Sequence, residues 1–367
     1  MTNMRHCSCA VYGNMTTFYR EVCDVTNRLK IAVLDDYLRL SQQSADWSTI
    51  ARTCDITVFE RPLSVPDEAA DTLVPFDIIS LIRERMPMPA ALIERLSNLK
   101  MIAVTGLYNR TLDVETARKR GIVMSYTELR GPYRKATCEL TWGLVLSLAR
   151  NIPLEAANMR SGGWQQTAGF ALAGKTIGLL GLGRQGRHMV PVAKAFGMHV
   201  TAWSPNLTVE AAAEVGVRRV EKDELFSTSD VLTIHLVLSE RSRGIVGARE
   251  LALMKPTAIL VNPARGPLVD ETALIAALSD RRIAGAGLDV WAKEPPPPDH
   301  PLLQFDNVLA SPHTAGVTKE ARENMATIAA EQMLDMLDGK RPPRLINPEA
   351  WPAYVKRFEQ AFGFAPG

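Results

Sequence analysis

Short apolar runs alternate along most of this chain with segments whose apolar positions repeat at helical spacing. From Leu29 the sequence reads LKIAVLDDY, then DIISLIRER, PAALIERLSNL, KMIAVTG, VETARKRG and IVMSY. Apolar runs bounded by turn residues are strands buried on both faces, and the helical stretches between them are crossovers. The rhythm is βαβ, which predicts a parallel sheet and argues against a sandwich or a bundle. A second, independent series opens at KTIGLLGLG and continues through MHVTAWS, DVLTIHL, AILVNPA and AGAGLDV.

Between the two series lies ATCELTWGLVLSLARNI, apolar on nearly all sides over more than four turns. Such a helix is expected to be buried, between domains or at a subunit contact, with Pro153 allowing little continuation. WQQTAGFALAGK reads as a loop. ARENMATIAAEQMLDMLDG reads as a long amphipathic helix ended by Gly339, with Pro342 and Pro343 barring its return. Residues 1–28 show neither period and are expected to form a flexible extension.

Bulk properties narrow the function classes. A length of 367 residues suits two domains at ~100–200 residues each. The balance of 42 basic and 40 acidic residues, net charge +2, offers no polyanion-binding field and disfavours nucleic acid as a partner. No apolar run approaches the ~18 residues a membrane helix needs, and the first twenty residues lack the apolar core of a signal peptide. Five cysteines with no CxxC pair fit neither a disulfide framework nor a zinc site, so a reducing cytoplasm and no metal are expected.

The first motif with chemistry is GLGRQG, carrying Gly181, Gly183 and Gly186 between the strand TIGLL and the helical run RHMVPVAKAFG. Glycines in tight loops are more often plain turn residues, but strand before and helix after is the setting of a dinucleotide cradle. There the first glycine makes the turn, the second admits a pyrophosphate, and the third packs helix on strand. Arg184 inside the loop is placed for a phosphate contact at the helix N-terminus. The next strand ends at Ser204, where an acid would hold the adenine ribose. Serine does not repel a 2′-phosphate, and no arginine follows to grip one. NAD and NADP are both open, and the missing cation tips the choice toward NAD.

Three further residues follow in order: Arg265 in VNPARGPLVDE, Glu294 in DVWAKEP and His313 in SPHTAG. A guanidinium at a strand end fits a carboxylate in bidentate fashion, or merely closes a turn before Gly266. An imidazole suits proton exchange near neutral pH, although most lone histidines are structural. A glutamate in a Pro-rich turn is usually solvated, yet beside His313 it would fix the tautomer and favour the charged ring.

In order and spacing, LLGLGRQG, MKPTAILVNPARGPLVDE, AGLDVWAKEP and SPHTAG resemble the D-isomer-specific 2-hydroxyacid dehydrogenases, phosphoglycerate dehydrogenase-like members among them, from roughly Leu29 to Pro348. The resemblance implies two Rossmann-like α/β domains with parallel sheets. One is a flavodoxin-like substrate domain over 29–130 and 322–350, the other an NAD(P)-binding Rossmann domain over 131–321. It implies hydride transfer between the nicotinamide and C2 of a D-2-hydroxy acid or its 2-keto acid. Arg265 would hold the carboxylate, His313 move the proton, and Glu294 tune His313. Asp289 would meet the nicotinamide carboxamide, and Gln185 and Pro263 would join the cofactor contacts. Arg83 and the loop Thr105, Gly106 and Leu107 would face the substrate, and His235 would line the cofactor cleft without a catalytic part.

Departures from the family pattern at Leu107, Tyr108 and Asn109, with Arg130, Arg134 and Lys135 added nearby, hint at an anionic or larger substrate. The apolar helix over 137–150 would support a homodimer. A rival from another class is a dinucleotide-sensing scaffold, since the family also resembles transcriptional corepressors that keep the same triad. That reading expects a long disordered tail, and the chain ends soon after Pro348, which favours the enzyme.

Overall fold

The computed structural model describes residues 28–362 except Leu38, Ser64, Arg83, Glu84, Tyr108 and Arg130. Of the extension expected over 1–28, all but Arg28 lies outside the described residues. The Arg28 guanidinium donates to Asp55 Oδ1 at 2.6 Å and to the carbonyl oxygen of Cys54 at 2.7 Å. The chain divides into two compact units, the described residues of Met1–Gly131 with Lys319–Gly367, and Pro132–Thr318. Both are parallel α/β sheets of Rossmann type.

In the first unit, β1 (Leu29–Val33), β2 (Cys54–Val58), β3 (Ile78–Ile82), β4 (Met101–Thr105) and β5 (Val123–Tyr126) pair in the order β2-β1-β3-β4-β5. Every position of β3 and β4 is buried, as continuous apolar runs require when helices cover both faces. Successive β1 residues serve opposite cores. Ile31 and Val33 pack with Met333 and Met336 of the helix Lys319–Leu337, and Ala32 and Leu34 pack with Leu73 and Ile93. Strand order reverses between β1 and β3.

Two elements of this unit escaped the sequence pattern. CDITV forms the edge strand β2, with Asp55 and Thr57 facing outward. Its alternation of polar and apolar residues falls below the continuous-run criterion that found the others. The second is the helix Trp351–Phe362. Gly339, at φ 73°, does end the preceding helix, but Pro342 and Pro343 do not bar a return. Ile346 N–H donates to the Met124 carbonyl at 2.7 Å and Asn347 Oδ1 accepts from Met124 N–H at 2.8 Å. Tied to β5 in this way, the chain starts a new helix that buries Tyr354 and Phe358. The helix Lys319–Leu337 is also less one-sided than expected, with Ile328, Ala329 and Ala330 buried in succession.

In the second unit, β6 (Thr176–Leu180), β7 (His199–Trp203), β8 (Arg218–Arg219), β9 (Val231–Ile234), β10 (Ile259–Asn262), β11 (Gly285–Leu288) and β12 (Val308–Ala310) run in the order β12-β11-β10-β9-β6-β7-β8. The order reverses between β6 and β9. Ligands bind outside the carboxyl ends of strands at such a reversal.

The apolar helix spans Ala136–Ala149, and its burial comes from its own sheet. Leu144 and Leu148 lie over Gly287 of β11, where an added Cβ would sit 3.1 Å from Leu148 Cδ1. Pro153 does not halt helical structure either. It stands in the first turn of a new helix, Ile152–Arg160, where a missing N–H costs nothing.

Candidate active site

The glycine loop joins β6 to the helix Arg184–Ala195 at the strand reversal. Its three glycines answer to three constraints. Gly181 has φ 109°, and a Cβ there would lie 2.8 Å from the His235 carbonyl carbon, just past β9. A Cβ on Gly186 would overlap the Gly181 carbonyl oxygen, so this glycine lets helix meet strand. Around Gly183 nothing lies within 4 Å of the Cβ position. That open space faces the first amides of a twelve-residue helix, whose partial positive charge suits a phosphate. Arg184 is exposed at the same end. Gln185 Oε1 is buried with no partner among the described residues, leaving a polar atom for a ligand to satisfy. Ser204 directly follows β7, and Pro263 is buried directly after β10. The residues present fit a dinucleotide.

His313 and Glu294 form the centre. Glu294 Oε2 lies 2.6 Å from His313 Nδ1, while Glu294 Oε1 accepts from the Trp291 N–H at 3.1 Å. Burial pushes the Glu294 carboxyl upward. The hydrogen bond and charge of His313, with the Trp291 amide and Arg265, more than offset it and hold the group below the usual carboxylate range. With Nδ1 turned to a carboxylate, the ring proton belongs there and Nε2 is left for another partner.

His313 adopts a left-handed backbone, φ 53°. An explanation lies in the fully buried Asp289 at the end of β11. Its Oδ1 accepts from Ser311 Oγ at 2.7 Å and from the Thr314 N–H at 2.8 Å, and its Oδ2 accepts from the Ala315 N–H at 2.8 Å. The carboxylate thus shapes the loop that carries the histidine. Ser311, Thr314 and Trp291 were not foreseen. The Ser and Thr flanking Pro-His in SPHTAG are the signal that was available, since such side chains and their amides commonly serve a buried carboxylate.

Arg265 follows β10 in extended conformation. Its Nη1 donates to the Ala264 carbonyl at 2.7 Å, and Asn262 Nδ2 donates to the Arg265 carbonyl at 2.9 Å. A Cβ on Gly266 would overlap the Trp291 carbonyl, so the Arg-Gly step lies against the segment leading to Glu294. Arg265, Glu294, His313 and Asp289 therefore converge in the same unit as the glycine loop.

Other expected residues stand apart or serve local structure. Arg83 lies outside the described residues. In the first unit, Thr105 Oγ1 donates to the Leu81 carbonyl at 3.1 Å and the Gly106 N–H donates to Thr127 Oγ1 at 2.8 Å, with Leu107 half-buried beside them. His235 Nε2 lies 3.0 Å from Thr233 Oγ1, and burial pushes its imidazole down to about 4. Among the described residues no cluster of His, Cys, Asp and Glu is arranged to hold a metal, and no helix is long and apolar enough to cross a membrane.

Comparison with known proteins agrees with this geometry. Residues 142–315 match the model of the D-isomer specific 2-hydroxyacid dehydrogenase NAD binding domain. A glyoxylate reductase of Aeropyrum pernix is 39% identical over 70% of this chain and 79% of its own length. A D-3-phosphoglycerate dehydrogenase of Methanocaldococcus jannaschii is 38% identical over 77% of this chain, which spans 53% of that longer protein. The solved phosphoglycerate oxidoreductase of Vibrio cholerae o395 superposes with a TM-score of 0.78 at 33% identity, over 84% of this chain and 98% of its own. By sequence, by fold and by the order of its motifs, this chain belongs to the D-isomer specific 2-hydroxyacid dehydrogenase family.

Proposed function

We propose that the protein is an NAD(P)-dependent oxidoreductase interconverting a small D-2-hydroxy acid and its 2-oxo acid. The observation that carries this reading is the 2.6 Å pair of His313 and Glu294 in one unit with Arg265 and an open glycine cradle. The names of the relatives, phosphoglycerate dehydrogenase and glyoxylate reductase, favour turnover over a scaffolding role.

When bound, the nicotinamide supplies a carrier for the hydride. The chain's own residues do the rest. Gly181, Gly183, Arg184, Gln185 and Gly186 receive the pyrophosphate, and Ser204 meets the adenine ribose without repelling a 2′-phosphate. Pro263 and Asp289 support the nicotinamide side. Arg265 takes the substrate carboxylate in its planar fork. His313 Nε2 gives a proton to the keto oxygen in reduction and removes it from the hydroxyl in oxidation. Glu294 keeps the Nδ1 proton in place and fixes the tautomer, leaving Nε2 for the proton that is exchanged.

Residues 131–321 serve as the cofactor-binding domain and residues 29–130 with 322–350 as the substrate domain. In the latter, Arg83 and the Thr105–Gly106–Leu107 loop make the substrate contacts. The reading includes a homodimer and a reducing cytoplasm, in keeping with the free thiols of Cys54 and Cys138.

The test follows NADH and NADPH absorbance against glyoxylate, hydroxypyruvate, pyruvate, 2-oxoglutarate and phosphohydroxypyruvate, with His313→Ala as control. Turnover that disappears in His313→Ala is expected. Tight cofactor binding without turnover on any acid would overturn the reading in favour of a sensing protein.

A further inference from the structure

Trp291 is buried in the core of the second unit, in one cluster with Leu288 and Leu302. Packing alone would be served by any large apolar ring. The indole also carries a donor, and a buried donor needs a partner. Its Nε1–H donates to the Ser311 carbonyl at 3.2 Å, two residues before His313. The Trp291 backbone N–H donates to Glu294 Oε1, and its carbonyl lies against Gly266, next to Arg265. One residue therefore touches the segments that carry all three reacting side chains.

The indole is itself held in place. His300 is buried, and its ring forms a T-shaped pair with the indole, 5.7 Å between centroids and 75° between planes. His300 Nδ1 accepts from the Leu302 N–H at 3.3 Å, so the donated ring proton belongs on Nε2, 3.2 Å from Glu271 Oε1. Glu271 opens the helix Glu271–Ser279, whose N-cap Asp270 accepts from the Ala273 N–H at 3.0 Å. The contacts Glu271, His300, Trp291 and Ser311 thus run from a capped helix to the histidine loop.

We propose that Trp291 is a positioning residue. Its indole N–H, braced by His300, fixes the His313 loop relative to the turn that carries Glu294, and so sets the 2.6 Å contact of that pair. The inference rests on the dehydrogenase reading for the reaction it serves. It gives Trp291 no contact with substrate or cofactor, so the indole acts on kcat and not on KM.

The deciding experiment compares the full chain with Trp291→Phe, which keeps an aromatic ring and removes the donor. On the best of the five acids, kcat is expected to fall about thirty-fold while KM for acid and reduced cofactor stays within about two-fold. The effects should be coupled, so that adding Trp291→Phe to Glu294→Gln costs about three-fold or less further. His300→Asn keeps an acceptor for the Leu302 amide and removes the ring. It should lower kcat about three-fold or more with KM unchanged. In NMR spectra the His313 ring signals, assigned by their loss in His313→Ala, should move in Trp291→Phe while those of the exposed His199 stay. Retained kcat with unmoved His313 signals would overturn the positioning role and leave the dehydrogenase standing. Losses that multiply independently in the double variant would do the same, since a general loosening of the fold gives that result. His313 signals that move in a protein without turnover on any acid would support the role of Trp291 and overturn the dehydrogenase.

Discussion

The backbone N–H of His313 donates to the carbonyl oxygen of Asp289 at 2.8 Å, so the histidine loop hangs from the end of β11. The Asp289 side chain then collects the amides of Thr314 and Ala315, the two residues that follow the histidine. Asp289→Ala strands both donors in a buried place, at a cost of about 3 kcal/mol in unfolding free energy. With the loop loosened, kcat should fall by about 100-fold, since small displacements of a reacting group are costly. Urea denaturation and steady-state kinetics check the two effects. Unchanged stability would mean the carboxylate does not order the loop.

Glu294 leads to a prediction in pH. Its carboxyl is held below the usual range by His313, so its contribution to stability is complete above the free-carboxyl value of ~4.3 and is lost as pH falls through the lower folded value. The melting difference between wild type and Glu294→Gln should therefore be constant above about pH 5 and shrink in stronger acid. Without the carboxylate the ring loses the partner that fixes its tautomer and orientation, and kcat of Glu294→Gln should fall by about 100-fold with KM little changed. An unchanged kcat would remove Glu294 from the proton-handling role.

The glycine loop separates binding from folding. Gly183 faces open space while Gly186 abuts the Gly181 carbonyl oxygen. Gly183→Val should fold with a melting temperature near wild type and bind NADH at least about ten-fold more weakly, because its side chain fills the phosphate approach. Gly186→Ala should instead lose about 2 kcal/mol or more of stability through overpacking. Fluorescence titration beside thermal melting distinguishes them. Equal losses of affinity and stability in both variants would refute the division of labour.

How much of this was legible in the sequence depends on what each element buries. β3, β4, β6, β9 and β10 are covered on both faces, so their apolar runs declare them. β2 is exposed at an edge and alternates, and the helix Trp351–Phe362 follows two prolines that read as a stop. Both depend on neighbours distant in sequence. Arg265, Glu294 and His313 stood out because each lies in a short motif at a strand end. The part of Asp289 beneath the loop did not, since a carboxylate's partners are set by tertiary contacts.

His235 titrates far from neutrality. Burial holds its imidazole down at about 4, whereas an unfolded chain protonates near ~6.5. Between these values the unfolded state binds more protons, so stability rises with pH through that window and levels off above about 6.5. The ring signals of His235 should not move in an NMR titration from about pH 5 to 8, and His235→Gln should flatten the acid side of the stability profile. A midpoint near 6.5 would show that the ring is hydrated.

The proposed dimer is testable through an apolar surface on the second unit. Ile152, Leu154 and Met159 are exposed on the helix Ile152–Arg160, and Trp164 just beyond it is 72% exposed. Large apolar side chains left exposed are the ones an interface would bury. A second copy of this chain would cover them across a two-fold axis, with each residue contributing twice. Trp164→Glu combined with Leu154→Lys should shift the mass seen by light scattering from two chains to one at micromolar concentration. Because these positions are solvent-exposed in the single chain, the monomer should keep its fold, with its circular dichroism unchanged. A wild-type protein that is already monomeric at that concentration would sink the dimer, and a double variant that stays dimeric would move the interface elsewhere.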